Sequence, residues 1–166
     1  MRRSWRENRQ KGKAKKRPQH ELIKYHREGW GPDFYADGVI TYKAKRNSHF
    51  DDAFKRLEDE LGINVERVKK RRHADIICKY ADEIWGGYMA GLSSDRRRTK
   101  GSKYTKLIVV RDQWFTKSTV SHELGHALGL GHPDDHDRTD SVMSYGRPRS
   151  VDWFTDFDLE ALRLLY

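Results

Sequence analysis

Three histidines and a glutamate stand close together in the run His122-Glu123-Leu124-Gly125-His126-Ala127-Leu128-Gly129-Leu130-Gly131-His132. On a helix, positions four apart share a face one turn up, so His122 and His126 can offer two imidazole nitrogens to one ion. Glu123 is rotated about 100° from His122. Its carboxylate can stand beside the ion and hydrogen-bond a bound water without being a ligand. A continuing helix would carry His132 roughly 9 Å past His126 at about 1.5 Å per residue, so the helix must stop and turn back. Gly129 permits that, because glycine takes the positive φ of a helix C-cap without a Cβ clash. A third neutral imidazole then gives three protein ligands and leaves a position for water, the arrangement of a catalytic rather than a structural zinc. The pattern predicts metal-assisted hydrolysis on His122, His126 and His132, with Glu123 as the base.

Such a site needs a framework. The branched and aromatic residues of 39–44 alternate with polar ones and predict a first strand. Ser48 is placed to cap a helix, with Asp51 three positions on. Phe50, Ala53, Phe54, Leu57 and Leu61 follow at helical spacing until Gly62. Further strands are expected over 63–68, 74–80, 84–90 and 107–111, with a basic loop over 93–106 between the last two. The helix bearing His122 and His126 should begin near Ser118. A final helix over 155–165 has Thr155 and Asp158 at its start and Phe157, Ala161 and Leu164, with Leu162 and Leu165 beside them, for its buried face. Strand, helix, several strands, helix, irregular segment and helix form a mixed α/β order, which predicts one sheet with helices packed on it.

The chain has 166 residues, room for one domain and one real core but hardly for two. Its single cysteine, Cys78, has no internal disulfide partner and falls within an expected strand, as a small core residue. The net charge of +9 is unevenly spread. Residues 1–17 hold nine Lys and Arg against the single acid Glu7, a balance of +8, which leaves 25 basic against 24 acidic residues elsewhere. Like charges at that density repel and bury little, so residues 1–32 read as a mobile basic tail and residues 33–166 as the catalytic domain. The tail, through residues 2–17, is a candidate for non-specific contact with nucleic acid or another polyanion. No stretch approaches the roughly 20 apolar residues of a membrane span, and no secretory signal is recognisable. A cytoplasmic or non-classically released protein, monomeric, is therefore expected.

The run from His122 to His132 resembles the long zinc motif of the metzincin metalloendopeptidases. Ser141-Val142-Met143-Ser144-Tyr145 is similar to their Met-turn, which follows in the same order. The resemblance implies a zinc endopeptidase acting on protein or peptide, with a catalytic domain of matrixin, serralysin or astacin type. It also implies a twisted, mixed, mostly parallel sheet with an active-site helix, a second packed helix and a C-terminal helix. Met143 would lie beneath the three imidazoles. Tyr145 matches the position where the serralysin and astacin branches place a tyrosine that binds zinc or the reaction intermediate. Residues 74–77 resemble a central metzincin strand. Gly86, with Gly87, Tyr88, Met89 and Ala90, resembles the edge strand on which extended substrate is laid, and the ending from Asp156 resembles the C-terminal helix. No cysteine-switch pattern is recognisable, and Cys78 falls within an expected strand, so control by that route is not expected. Asp134, Asp135, His136 and Asp137 read mostly as a polar turn after Pro133. A calcium role there is open but has no support, since no spaced acidic loop of recognisable type appears.

A rival reading is a nucleic-acid-binding protein using the tail and Arg96, Arg97 and Arg98, with the histidines holding a structural metal. It requires a fourth protein ligand, for which Asp135 and His136 are the candidates.

Overall fold

Ile40 and Tyr42, both buried, alternate with the half-buried Thr41 and Lys43 along β1 (Ile40–Lys43). The helix that follows, α1 (His49–Leu61), starts where Ser48 in extended backbone accepts a hydrogen bond from the Asp51 amide. It stops where Gly62 takes a φ of 66° and returns its amide to the Glu58 carbonyl. Between these caps Phe50, Ala53, Phe54 and Leu57 form the buried face. Each large side chain so buried contributes roughly 1.5–3 kcal/mol. Tyr42 stacks on Phe54 with ring centroids 3.9 Å apart. Its hydroxyl is 3.1 Å from an Asp51 carboxylate oxygen, and burial together with that carboxylate pushes the phenol pKa up.

This computed structural model describes residues 20–23, 35, 37–81, 91–97, 103–110, 116–135, 138–145 and 151–166. After α1 come β2 (Val65–Arg67), a single 3₁₀ turn (Arg71–His73), β3 (Ile76–Ala81), β4 (Gly91–Arg97) and β5 (Lys103–Val110). Helices α2 (Thr116–Ala127) and α3 (Asp156–Leu165) complete the order. The strands form one sheet in the order β2-β1-β3-β5-β4. β2, β1, β3 and β5 run parallel and β4 antiparallel to β5. The expected mixed α/β architecture, a mostly parallel sheet with three helices, is the one observed. Parallel pairing requires long crossovers, and α1 provides the one between β1 and β2. Asp75 ties β1 to β3, its carboxylate accepting from the Thr41 amide at 2.9 Å and the Thr41 hydroxyl at 2.6 Å.

The basic loop expected over 93–106 is corrected by the structure: most of it is the β4–β5 hairpin, with Ser93 opposite Leu107 and Arg97 opposite Lys103. Ser93 to Arg97 lacks the apolar alternation of a half-buried strand. At the end of a sheet, however, a strand is held by its backbone ladder on one side, and charged residues are favoured there. The strand expected over 84–90 lies outside the described residues. The described helices include none long and apolar enough to cross a membrane.

Of the residues read as tail, His20 to Ile23 are described, and they pack onto the domain. Leu22 is 0% exposed and belongs to the core cluster with Leu128, Leu130 and Leu162. The short apolar pair Leu22-Ile23, between Glu21 and Lys24, gave no periodic signal, yet the burial of Leu22 is complete.

Candidate metal centre

Helix α2 ends within a turn of its second histidine. The Gly129 amide donates to the His126 carbonyl at 3.1 Å and the Leu130 amide to the Gly125 carbonyl at 2.9 Å. Gly129 has a φ of 103°. This paired closure, with a left-handed glycine, is the Schellman ending of a helix. Leu130 follows it into the core, fully buried with Leu124 and Leu128. The chain thereby reverses, as the spacing of His126 and His132 requires.

The reversal brings the Nε2 atoms of His126 and His132 each within 3.2 Å of the Nε2 of His122. The other ring nitrogens of the helical pair face backbone carbonyls: His122 Nδ1 lies 2.8 Å from the Val142 oxygen, and His126 Nδ1 lies 2.9 Å from the Leu130 oxygen. A carbonyl only accepts, so both imidazoles carry their proton on Nδ1 and present a lone pair at Nε2. Two such lone pairs at this separation repel unless a cation lies between them. Ligand nitrogens about 2.0–2.1 Å from one tetrahedral zinc stand roughly 3.3 Å apart, so both the spacing and the tautomers fit that ion. Among the described residues the grouping is His122, His126 and His132, with no fourth His, Cys, Asp or Glu. Asp135 is exposed and outside it, and His136 lies outside the described residues.

The floor of the site is built by three elements. Met143 is fully buried beneath α2. A Cβ placed on Gly125 would come 2.3 Å from the Met143 sulfur and 3.1 Å from Phe154. Gly125 is therefore a packing requirement that the zinc spacing alone did not reveal. Ser141 and Val142 are held by Asp158, a carboxylate that is 0% exposed. It accepts from the Ser141 hydroxyl at 2.5 Å and the Val142 amide at 2.9 Å. Its second oxygen also takes the Thr155 amide at 3.0 Å and hydroxyl at 3.1 Å. Asp158 reads in sequence only as the capping partner of Thr155. In the fold, the same carboxylate fixes Val142, whose carbonyl orients His122. Nothing local signalled that second task.

Glu123 follows His122 on α2 and is buried. Tyr145 is 62% exposed, with its ring centroid 3.8 Å from that of His132. The structure thus brings together the three histidines, Glu123 on the helix of the first two, Met143 below that helix and Tyr145 beside the third imidazole. Gly87, Tyr88, Met89 and Ala90 lie outside the described residues. Cys78 is buried in β3, where desolvation pushes its thiol pKa well up, as suits a core residue.

No protein-family model matches the chain, and no curated protein matches it. Among solved structures, archaemetzincin (AmzA) from Archaeoglobus fulgidus, complexed with malonate, aligns with 74% of this chain and 98% of its own length at 12% sequence identity and a TM-score of 0.41.

Proposed function

We propose that the protein is a zinc-dependent endopeptidase of metzincin type, with His122, His126 and His132 holding the ion. The observation that carries this reading is the pairing of two Nδ1 atoms with backbone carbonyls, which leaves two Nε2 lone pairs converging with His132. Bound zinc would act as a Lewis acid, bringing the pKa of a bound water toward about 7 and polarising a peptide carbonyl. Glu123 takes the proton at its carboxylate as water adds to the carbonyl carbon, then delivers it to the departing amine as the C–N bond breaks. Tyr145, whose ring lies tilted against His132, is the candidate donor to the developing oxyanion and the candidate additional ligand. An extended peptide would add to the sheet edge formed by β4, the strand that lies against α2 together with β5. The segment 87–90 belongs to the same proposal. The tail is proposed as a polyanion contact on its charge balance alone. Replacing the basic residues of 2–17 with glutamine should abolish salt-dependent oligonucleotide binding.

Metal analysis and a protein-cleavage assay on wild type and Glu123→Ala test the reading. The wild type should hold one zinc per chain and cleave. Glu123→Ala should keep the zinc and lose about 10²–10⁴-fold in kcat/KM. Undiminished cleavage removes Glu123 from the mechanism, and a wild type that takes up no zinc sinks the proposal.

A further inference from the structure

Residues 20–23 lie across the loop that carries His132. The Gly131 amide, one residue before that histidine, donates to the Leu22 carbonyl at 2.6 Å. The Asp134 amide, two residues after it, donates to Glu21 Oε2 at 2.9 Å. The other oxygen of Glu21 takes an Arg138 guanidinium N–H at 2.8 Å. His132 is thus bracketed on both sides by one short segment more than a hundred positions upstream.

The bracket is anchored at each end. Leu22 is fully buried in the core. The backbone turns on itself there, the Ile23 amide donating to the His20 carbonyl at 2.9 Å and the Leu22 amide to His20 Nδ1 at 3.2 Å. Arg138 lies over the Phe157 ring at 3.6 Å, and its carbonyl accepts from the Ser144 hydroxyl in the turn that holds Met143. His20 reaches the same Phe157 ring at 4.8 Å. Segment, loop and methionine turn therefore form one connected polar and aromatic assembly.

We infer that residues 20–23 are a positioning strap for the third metal ligand, with Glu21 and Leu22 acting through the loop from Gly131 to Arg138. The inference rests on His132 being a ligand. The helical histidines are oriented within their own helix ending and by the methionine turn, whereas His132 sits in irregular backbone. There a loop that samples several positions binds metal only in the fraction of time it is correctly placed, so holding it contributes directly to metal affinity.

The test uses the full chain as wild type, Glu21→Ala, Glu21→Gln and a surface control, Lys55→Ala, which removes an exposed ion pair with Asp59. Zinc affinity is read by chelator competition, the cobalt(II) derivative by its absorption spectrum, and thermal unfolding with and without zinc. Glu21→Ala should weaken zinc about 10- to 100-fold, as loss of an outer partner does elsewhere, and change the cobalt spectrum. Glu21→Gln, which keeps an acceptor for the Asp134 amide, should recover part of the affinity, and Lys55→Ala should match wild type. The rise in Tm on adding zinc should shrink in Glu21→Ala, whereas a merely structural loss would lower both unfolding temperatures alike. Wild-type zinc affinity, cobalt spectrum and zinc-dependent Tm rise in Glu21→Ala would overturn the strap alone. A wild type that takes up no zinc would overturn the metal reading beneath it as well.

Discussion

The two histidines on α2 and the third histidine beyond it reach the same point by different means. His122 and His126 are spaced by helical geometry, and their rings are locked by carbonyls of Val142 and Leu130. His132 owes its place to a helix ending and to partners far away in the chain, Leu22 and Glu21, which hold its loop at Gly131, Asp134 and Arg138. One half of the centre is nearly a local structure, and the other is a tertiary one. The first should survive perturbations that disperse the second, and the contacts joining them should be the most costly to lose.

Asp158 is that junction, because it caps α3, holds Ser141 and Val142, and through Val142 orients His122. Asp158→Ala leaves several buried donors without their acceptor and should destabilise the fold by about 3 kcal/mol, read by urea unfolding. A loss below about 1 kcal/mol would mean that water replaces the carboxylate and that the two halves are not joined there. A strike at the helical half alone comes next. Gly125→Ala drives a Cβ into the Met143 sulfur and should cost roughly 1–3 kcal/mol as overpacking, a penalty expected without metal too. Wild-type stability in metal-free Gly125→Ala would show that α2 and Met143 are less closely packed than this.

The smallest effect concerns the loop half and pH. The Arg138 hydrogen bond, and its charge with it, lowers the Asp140 carboxyl pKa. A carboxylate depressed on folding adds stability above its unfolded pKa and loses it as pH falls through the folded value. Acidification below the ordinary aspartate range should therefore remove a small stabilisation that Asp140→Asn lacks at every pH. The pair is exposed and hence weak. Parallel stability curves for the two proteins in acid would dissociate Asp140 from the loop.

Sequence legibility followed the same division. The spacing of His122, His126 and His132 and the glycine at 129 foretold a reversing helix end, because helix pitch and glycine stereochemistry act within a few residues. α1 with its Ser48 and Gly62 caps was legible on the same grounds. β4 was hidden because its pairing with β5 is backbone to backbone and its residues carry no apolar alternation. Leu22 was hidden because an apolar pair is too short to show a period, Gly125 by a contact with Met143 that no local rule contains, and the double task of Asp158 by the distance between residues 141 and 158. Leu22, Gly125 and Asp158 each depend on a partner beyond their own element, whereas β4 depends on a backbone ladder that leaves no mark on its side chains.

Remoteness also has a duration. Glu21 and Arg138 are 117 positions apart, and a ribosome adding about 5–20 residues per second needs roughly 6 to 23 s to cover that interval. During translation the segment around Leu22 emerges with neither its apolar bed nor its hydrogen-bonding loop yet made. Closing so wide a circuit is an entropic cost that can be offset only after residue 138 has been made. A strap of this kind can close only once both of its ends exist, so a growing chain carries the helical pair of histidines before the third can be held.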